Sequence, residues 1–331
     1  MLSTDFFYQD WLEYKLDTPV SNKKLLPVKL SDSFFDELAF DNVSLSQYRI
    51  DAARLVSKSL GDNPALCLSG GVDSQSMILC WLEAGLKFDV ITCIFNNDLN
   101  NHDVETAFEF GRLHNLTVKT IPLNVTQFLS RENIEYAIKY KSASPHFNVH
   151  YKLFNILRDM GYSGVCCGGV ALYRDRGIWG NNLIHNIFNF INYVKESHFP
   201  VQGSFLSYYP HLSWAIGLLT KELNTNHSGS RGDDAFVPLF NSRYLNKVEG
   251  YKRAGLNVIS QKEAYTGFEK VKEYYASITK DGYEFEKRFR IPLEDMHKLF
   301  VHRGEGIELD LTDMQKEKIS SIYSNNMRSC L

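Results

Sequence analysis

Short apolar runs alternate with amphipathic segments through the first half of the chain. Four runs have the length and composition of buried strands, at 65–68, 88–95, 116–123 and 163–167. Segments with helical spacing lie before and between them, at about 45–60 and at 73–84, 102–114 and 147–160. Strands that alternate with helices are typical of a parallel sheet covered on both faces. The pattern therefore predicts an α/β fold with a doubly wound, Rossmann-like sheet.

The pattern changes after residue 169. Apolar-rich segments without strand alternation predict helices at 181–196, 204–223, 236–255 and 268–279. Within this half, residues 224–234 are polar and turn-forming, and they predict a loop. We therefore expect three parts: an N-terminal segment at 1–60, an α/β core at 61–180, and a mainly helical C-terminal region at 181–331 that completes the functional site.

Composition narrows the partners that this chain is expected to have. Of its 331 residues 44% are hydrophobic and 23% are charged, and the formal net charge is −3. A strongly basic footprint would indicate a nucleic-acid binder, so nucleic acid is not favoured as a partner. Neither a membrane-spanning apolar stretch nor a secretory signal is found in the sequence. The six cysteines are scattered without a CxxC pair, and we expect buried thiols and a cytoplasmic setting.

One segment combines a strand end, two glycines and a helix start. Residues 69–74 read Ser-Gly-Gly-Val-Asp-Ser. Paired glycines let the backbone approach an anion, and the free N–H groups of a helix N-terminus attract it. Ser69 and Ser74 add hydroxyl donors, and Asp73 is a candidate Mg²⁺ ligand, because a carboxylate beside phosphate needs a cation between them. This glycine loop predicts a phosphate site, against the alternative of a capped strand–helix turn.

The glycine loop resembles the signature of the PP-loop ATP pyrophosphatases, which cleave ATP between its α- and β-phosphates. Further stretches are similar to the asparagine-synthetase branch of that family: Phe95 followed by Asp103, Glu105 and Ala107; Ser144-Pro145; Val237-Pro238-Leu239-Phe240; and Gln261-Lys262-Glu263 ahead of Gly267. The resemblance implies an adenine-nucleotide-α-hydrolase-like fold, with ATP and Mg²⁺ as cofactors.

The resemblance also implies roles for individual residues. The expected ATP-binding residues are Leu68, Ser69, Gly70, Gly71, Val72, Asp73, Ser74, Phe95 and Lys262. Adenine is expected to lie against Leu68 and the Phe95 region, and the pyrophosphate on the glycine loop. Asp73 and Lys262 are the expected catalytic residues, because Lys262 would neutralise charge that develops at the α-phosphate.

The chain departs from that branch in two places. Position 2 is leucine, whereas a glutaminase domain begins with a cysteine after Met1, so we expect no glutamine hydrolysis here. The stretch Gly168-Gly169-Val170-Ala171 stands where the branch carries an acidic cluster. Asp175, the nearest acid, is either a second metal ligand or a solvent-exposed loop acid, because strand ends line the ligand crevice of open α/β sheets. Because they are also expected near this crevice, the candidate substrate contacts are His146, Gly168, Gly169 and Arg174.

Taken together, these features predict an ATP-dependent, AMP-forming ligase. It would adenylate a small-molecule substrate, which we expect to be a carboxylate, and transfer a nitrogen nucleophile that a separate ammonia-supplying protein provides. One alternative is a PP-loop enzyme that modifies a tRNA base by thiolation or deazaguanine chemistry. A reactive thiol would favour this alternative. Another alternative is a catalytically degenerate nucleotide-binding protein, which the missing acidic cluster favours.

Overall fold

The computed structural model describes residues 45–140, 145–169, 193–209, 248–260 and 267–278, and also 12–14, 28–30, 142, 173–175, 178–180, 190 and 212. The strands are β1 (Leu12–Tyr14), β2 (Val28–Leu30), β3 (Pro64–Cys67), β4 (Asp89–Phe95), β5 (Val118–Leu123), β6 (Gly164–Cys166), β7 (Tyr173–Asp175), β8 (Ile178–Gly180) and β9 (Val201–Gln202). The helices are α1 (Leu45–Leu60), α2 (Val72–Glu83), α3 (Asn101–Leu113), α4 (Val125–Arg131), α5 (Asn133–Tyr140), α6 (Pro145–Asp159), α7 (Phe205–Tyr208) and α8 (Gly267–Ile278).

Five parallel strands form the central sheet in the order β5–β4–β3–β6–β9. Leu66 in β3 lies opposite Val90 in β4 and Cys166 in β6. The chain runs outward from β3 through β4 to β5 and then returns to β6 on the other side of β3. Strand order therefore reverses at β3, and such a reversal opens a crevice at the carboxyl ends of the strands. The predicted parallel α/β sheet is confirmed.

Alternating residues of the strands face two different cores. In β3, Leu66 packs into a core formed with α1, α2 and α3, whose buried side chains include Ala52, Met77 and Phe110. Ala65 faces the opposite core, where α5 and α6 cover the sheet. Five of the buried rings in that second core pack against one another, and we call them the aromatic layer: Tyr140, Tyr151, Phe154, Phe190 and Tyr193. The sheet is thus covered by helices on both faces, which is the reason for the apolar strand pattern.

The predicted elements of the core agree with the observed ones within two residues at either end. Helix α1 has the predicted bounds, α2 is displaced by one residue from 73–84, and α6 begins two residues before the predicted 147. Helix α8 in the second half also agrees with the predicted 268–279. Apolar periodicity was sufficient here because each element buries one regular stripe.

The prediction for the second half is wrong in two respects. No strand was predicted after residue 180, whereas β9 supplies the fifth strand of the sheet. The predicted helix at 204–223 is interrupted after α7, because Tyr209 has the extended dihedrals φ −92° and ψ 118°. Leu212 is helical again, and the other residues from 210 to 223 lie outside the described residues. Of the predicted helix at 236–255 the structure describes helical residues 248–253, and the predicted loop at 224–234 lies outside the described residues. Two short hairpins, β1–β2 and β7–β8, were also not predicted.

None of the helices in the described ranges has the length and apolar character needed to cross a membrane.

Candidate functional site

The glycine loop lies at the carboxyl end of the central strand, where strand order reverses. Leu68 still belongs to the sheet, because its N–H donates to the carbonyl of Ile91 at 2.8 Å. The backbone then turns through Gly70, which has a φ of +80° that only glycine adopts readily. Gly71 is extended, and α2 begins at Val72. The predicted strand–glycine turn–helix geometry is therefore present.

The start of α2 offers backbone N–H groups to this loop. Among the described residues, no side chain caps the helix N-terminus. The first intrahelical bond runs from the N–H of Gln75 to the carbonyl of Gly71 at 3.1 Å. The N–H groups before it have no carbonyl partner one turn back, and the helix dipole adds positive potential there. This end of α2 can therefore hold an anion without a charged side chain.

The two loop serines have different surroundings. Ser74 is buried, and its hydroxyl donates to the carbonyl of Gly71 at 2.8 Å while it accepts from the N–H of Ser69 at 3.2 Å. A hydroxyl has a single hydrogen, so Ser74 closes the loop with it. Ser69 is exposed, and its hydroxyl lies 3.2 Å from that of Ser74. Ser69 is therefore the hydroxyl that stands at the surface of the loop.

Glycines at three positions permit close backbone contacts around the loop. A Cβ atom on Gly70 would lie 2.2 Å from the carbonyl oxygen of Asp103 in the first turn of α3. A Cβ on Gly168 would lie 2.5 Å from the carbonyl of Asp73, and one on Gly169 would lie 2.4 Å from Ser204. The structure thus brings the predicted Gly168 to the glycine loop, where the absence of a side chain lets the loop after β6 pack on α2, and it places the predicted Gly169 against Ser204.

Asp73 has a partner that the sequence did not indicate. Its Oδ1 atom accepts a hydrogen bond from the hydroxyl of Tyr251, 178 residues away. Tyr251 is fully buried, and burial together with the neighbouring Asp73 carboxylate raises its pKa well above the usual range. The phenol therefore stays protonated and donates, so it fixes the orientation of the Asp73 carboxylate.

The Asp73 carboxylate is the candidate Mg²⁺ ligand at the glycine loop. Among the described residues, no three His, Cys, Asp or Glu side chains lie close enough together to hold a metal ion. Mg²⁺ in nucleotide sites is bound by one or two carboxylates, with phosphate oxygens and water as the other ligands. Asp73, oriented by Tyr251, fits that minimal set. Asp175 lies on β7, and its side chain is outside the described residues.

Gln75 connects the loop to a distant segment. Its side chain is fully buried in the first turns of α2. The amide Nε2 donates to the carbonyl of Gly70 at 2.8 Å and to the carbonyl of Ile259 at 3.0 Å, and Oε1 accepts from the N–H of Ile259 at 2.7 Å. The only sequence signal for this role was a polar residue within an apolar helix.

A charged pair supports the same segment from the other side. Arg49 on α1 donates to Glu83 on α2 at 2.5 Å through Nε and at 2.8 Å through Nη2, and to the carbonyl of Ala254. The hydrogen bond from Arg49 lowers the pKa of Glu83, so the pair stays ionised at neutral pH. Residues 251–259 are thus attached to α1 and α2 through Arg49, Asp73 and Gln75.

The region predicted for adenine lies at the carboxyl ends of β3 and β4. Phe95 ends β4, and its N–H donates to Oδ1 of Asn100 at 2.8 Å. Because the N–H groups of Leu68 and Phe95 are both engaged inside the protein, they are not the donors for a base in this arrangement. The ring of Phe95 meets Phe268 edge-on with 5.8 Å between centroids.

His146 is placed at this same end of the sheet. Its ring centroid lies 4.1 Å from that of Phe268 and 4.7 Å from that of His150. The structure therefore brings the predicted His146 together with Phe95 through α8. His150, one turn further along α6, is neutral near pH 7, because burial lowers its pKa to about 4.

Lys262 lies outside the described residues, which end on that side at Ser260 and resume at Gly267. Arg174 lies on β7 beside Asp175, and its side chain is likewise outside the described residues. The structure therefore places the backbone of Arg174 and Asp175 in a hairpin after β6 and says nothing about their contacts or about Lys262.

Comparisons with known proteins give two partial likenesses. No family model matches the chain, and no curated protein matches it either. It is similar to the solved structure of NMN synthetase from Francisella tularensis, with 17% identity and a TM-score of 0.29 over 38% of this chain. That match spans 54% of the synthetase, about half its length. The chain is also similar to U34-tRNA thiolase NcsA from Methanococcus maripaludis with its 4Fe-4S cluster, with 14% identity and a TM-score of 0.32 over 71% of this chain and 84% of that one. Neither likeness assigns an activity to this chain.

Proposed function

We propose that this chain binds ATP with its pyrophosphate on the glycine loop and transfers AMP to a small-molecule substrate. The observation that carries the proposal is the uncapped N-terminus of α2 at the strand-order reversal, with Gly70 turning the backbone and Gly71 leading into the helix. A polyphosphate placed there would meet several backbone N–H groups that are held in place before it arrives.

The residues around the loop have separable tasks in this reaction. The N–H groups of α2 and the Ser69 hydroxyl would bind the β- and γ-phosphates. Asp73 would hold Mg²⁺, which neutralises phosphate charge when it is bound. Tyr251 would keep the Asp73 carboxylate in position through its hydrogen bond. Lys262, as the resemblance implies, would stabilise charge at the α-phosphate.

We further propose that the adenylated group is a carboxylate and that a nitrogen nucleophile displaces AMP, as in the asparagine-synthetase branch. In this scheme a carboxylate oxygen attacks the α-phosphorus and pyrophosphate leaves. The nitrogen then attacks the activated carbonyl carbon, AMP leaves, and an amide forms. The candidate substrate contacts are His146, Gly168, Gly169 and Arg174, with Asp175 as a second candidate for the metal.

Several cysteines in the described α/β core support a nitrogen rather than a sulfur nucleophile. Sulfur transfer needs an exposed thiol with a lowered pKa. Burial raises the pKa of Cys80 well above its usual range and that of Cys93 to about 12. The pKa of Cys167 is raised first by its hydrogen bond with Cys67 and then by burial. The thiols of Cys80, Cys93 and Cys167 therefore stay protonated at neutral pH and are poor nucleophiles.

ATP–pyrophosphate exchange tests this proposal. The full chain is incubated with Mg²⁺, ATP and labelled pyrophosphate, and amino acids and other carboxylates are added one at a time. We expect label to enter ATP only with the true substrate, and Asp73→Asn to reduce the rate strongly. Calorimetric titration with Mg²⁺ and ATP reports binding separately. Absence of ATP binding to the unaltered chain, with no effect of Asp73→Asn in any assay, would contradict the proposal.

A further inference from the structure

We infer that Gln75 is a positioning residue that fixes the orientation of the Gly70–Gly71 peptide in the glycine loop. The inference rests on the proposed function, because it assigns to Gln75 the task of presenting the Gly71 N–H to a bound phosphate. It starts from a property of the loop itself. Two consecutive glycines lack the Cβ atoms that would restrict their dihedrals, so the peptide between them can rotate between two orientations.

The orientation of this peptide decides what the loop offers to an anion. In a trans peptide the C=O and the N–H point in opposite directions. If the Gly70 carbonyl points into the protein, the Gly71 N–H points outward, where it donates a long hydrogen bond of 3.4 Å to the exposed Ser69 hydroxyl. A bound phosphate oxygen would replace that hydroxyl as the acceptor. If the peptide rotated by half a turn, the carbonyl would face the phosphate and repel it.

The Gln75 amide selects the first orientation. Its Nε2 donates to the Gly70 carbonyl at 2.8 Å, in a fully buried position. A carbonyl rotated away from Nε2 would leave that amide hydrogen buried without a partner, which is costly away from water. The bond therefore holds the Gly71 N–H on the outer side of the loop before any ligand binds.

Gln75 is itself held by the backbone of Ile259. Its second Nε2 hydrogen donates to the Ile259 carbonyl at 3.0 Å, and Oε1 accepts from the Ile259 N–H at 2.7 Å. Both amide hydrogens and the amide oxygen are thus used, and the side chain pairs with Ile259 as a neighbouring strand would. The side chain cannot rotate without breaking all three hydrogen bonds. The segment that ends at Ile259 therefore sets the shape of the phosphate loop through one side chain.

Three substitutions at position 75 test this role. Gln75→Ala removes all three hydrogen bonds, and we expect ATP–pyrophosphate exchange to fall about 100-fold, the usual effect of losing one preorganised backbone donor. Gln75→Glu keeps the size of the side chain, but a carboxylate cannot donate to Gly70. We expect its exchange rate to be low at pH 8 and to recover as the pH falls, because a buried carboxyl group has a raised pKa and becomes a donor when protonated. Gln75→Asn is shorter by one methylene and should behave like the alanine variant.

Asn155→Ala is the matched control. Asn155 donates to the hydroxyls of Tyr136 at 3.1 Å and Tyr140 at 3.0 Å and accepts from Tyr193 at 2.9 Å, in the core on the other face of the sheet. It therefore loses a comparable set of hydrogen bonds without touching the loop, and its exchange rate should stay near that of the unaltered chain. Equal loss of exchange in both alanine variants, or no pH-dependent recovery in Gln75→Glu, would overturn the positioning role.

Backbone amide hydrogen exchange separates this inference from the proposed function. Without nucleotide, the amide of Ile259 should exchange faster in Gln75→Ala than in the unaltered chain, because it loses its acceptor. If the unaltered chain bound no ATP, the proposed function and the task assigned to the Gly71 N–H would both fail. A faster Ile259 amide would then support only the attachment of Gln75 to Ile259. An unchanged Ile259 amide would overturn that attachment whatever the result with ATP.

Discussion

The glycine loop and the aromatic layer are held in place by different interactions. Around the glycine loop, the contacts include directional hydrogen bonds from Gln75, Tyr251 and Arg49 to residues far away in the sequence. In the aromatic layer, rings pack against one another, and Tyr151 stacks on Tyr193 with 5.0 Å between centroids. A glycine loop offers no side chain for packing, so only hydrogen bonds to its backbone can fix it. A layer of rings gives stability without fixing individual peptide groups.

This difference leads us to expect that the glycine loop and the aromatic layer can be damaged separately. Substitutions in the aromatic layer should reduce the free energy of unfolding and leave nucleotide binding intact while the protein is folded. Substitutions at the glycine loop should reduce nucleotide binding by more than their effect on stability explains.

The largest effect on stability is expected from Phe154→Ala. Phe154 is fully buried and meets the rings of Tyr193 at 5.5 Å and Phe190 at 5.9 Å. Removing a buried phenylalanine ring leaves a cavity, and the free energy of unfolding should fall by about 3–5 kcal/mol. Urea unfolding measures this, with Met160→Ala as control, because Met160 is 56% exposed just after the same helix. A strong loss of ATP affinity in folded Phe154→Ala protein would contradict the expectation that the aromatic layer does not affect nucleotide binding at the glycine loop.

At the glycine loop, Gly70→Ala should abolish most of the exchange activity. A methyl group there would lie 2.2 Å from the Asp103 carbonyl, and the φ of +80° is unfavourable for alanine. The backbone must move, which costs about 1–3 kcal/mol of stability. It would also displace the phosphate donors, so we expect exchange to fall by about 100-fold or more.

Gly85→Ala is the control for backbone strain alone. Gly85 also has a positive φ, +66°, but its added Cβ would meet nothing within 4 Å. We expect it to lower the unfolding free energy by about 1 kcal/mol and to leave exchange unchanged. If Gly70→Ala and Gly85→Ala had the same exchange rate, the close approach of Asp103 to the loop would have no functional importance.

The same contrast explains what the sequence could predict. The glycine loop, the strands on both sides of it and α2 were predictable, because phosphate loops and buried strands are local patterns of consecutive residues. The partners of the loop were not, because Tyr251 and Ile259 are 178 and 184 residues away from Asp73 and Gln75 and no local pattern marks such pairs. Strand β9 is only two residues long and has no periodicity to detect. Its place in the sheet depends on pairing with β6.

His150, which lies on α6 beside Phe154 of the aromatic layer, should make stability depend on pH. Burial lowers its pKa from 6.5 to about 4, so the folded protein keeps it neutral while the unfolded chain binds a proton below pH 6.5. Stability should therefore fall as the pH drops from 6.5 toward 4, by up to about 1.4 kcal/mol per pH unit. Urea unfolding across this range measures the slope. His150→Phe has no group to titrate and should flatten the curve, whereas parallel curves for the two proteins would contradict a neutral, buried His150.

The smallest effect is expected from Glu83→Gln, which tests how much the charged pair adds to the hydrogen bonds of the loop. The Glu83 side chain is 29% exposed, so solvent screens its attraction to Arg49 and the pair should contribute only about 1 kcal/mol. Its pKa is lowered from 4.5 by the hydrogen bond from Arg49, so this contribution is present above pH 4.5 and is lost as the pH falls through the lower, folded-state pKa. The unaltered protein and Glu83→Gln should therefore differ in urea unfolding at pH 7 and converge in acid.

Arg49 retains its bond to Ala254 in this variant, and Gln75 and Tyr251 still attach residues 251–259 to α2, so ATP affinity should change little. A large loss of ATP affinity would mean that charge, and not the Gln75 and Tyr251 hydrogen bonds, holds this segment on the loop.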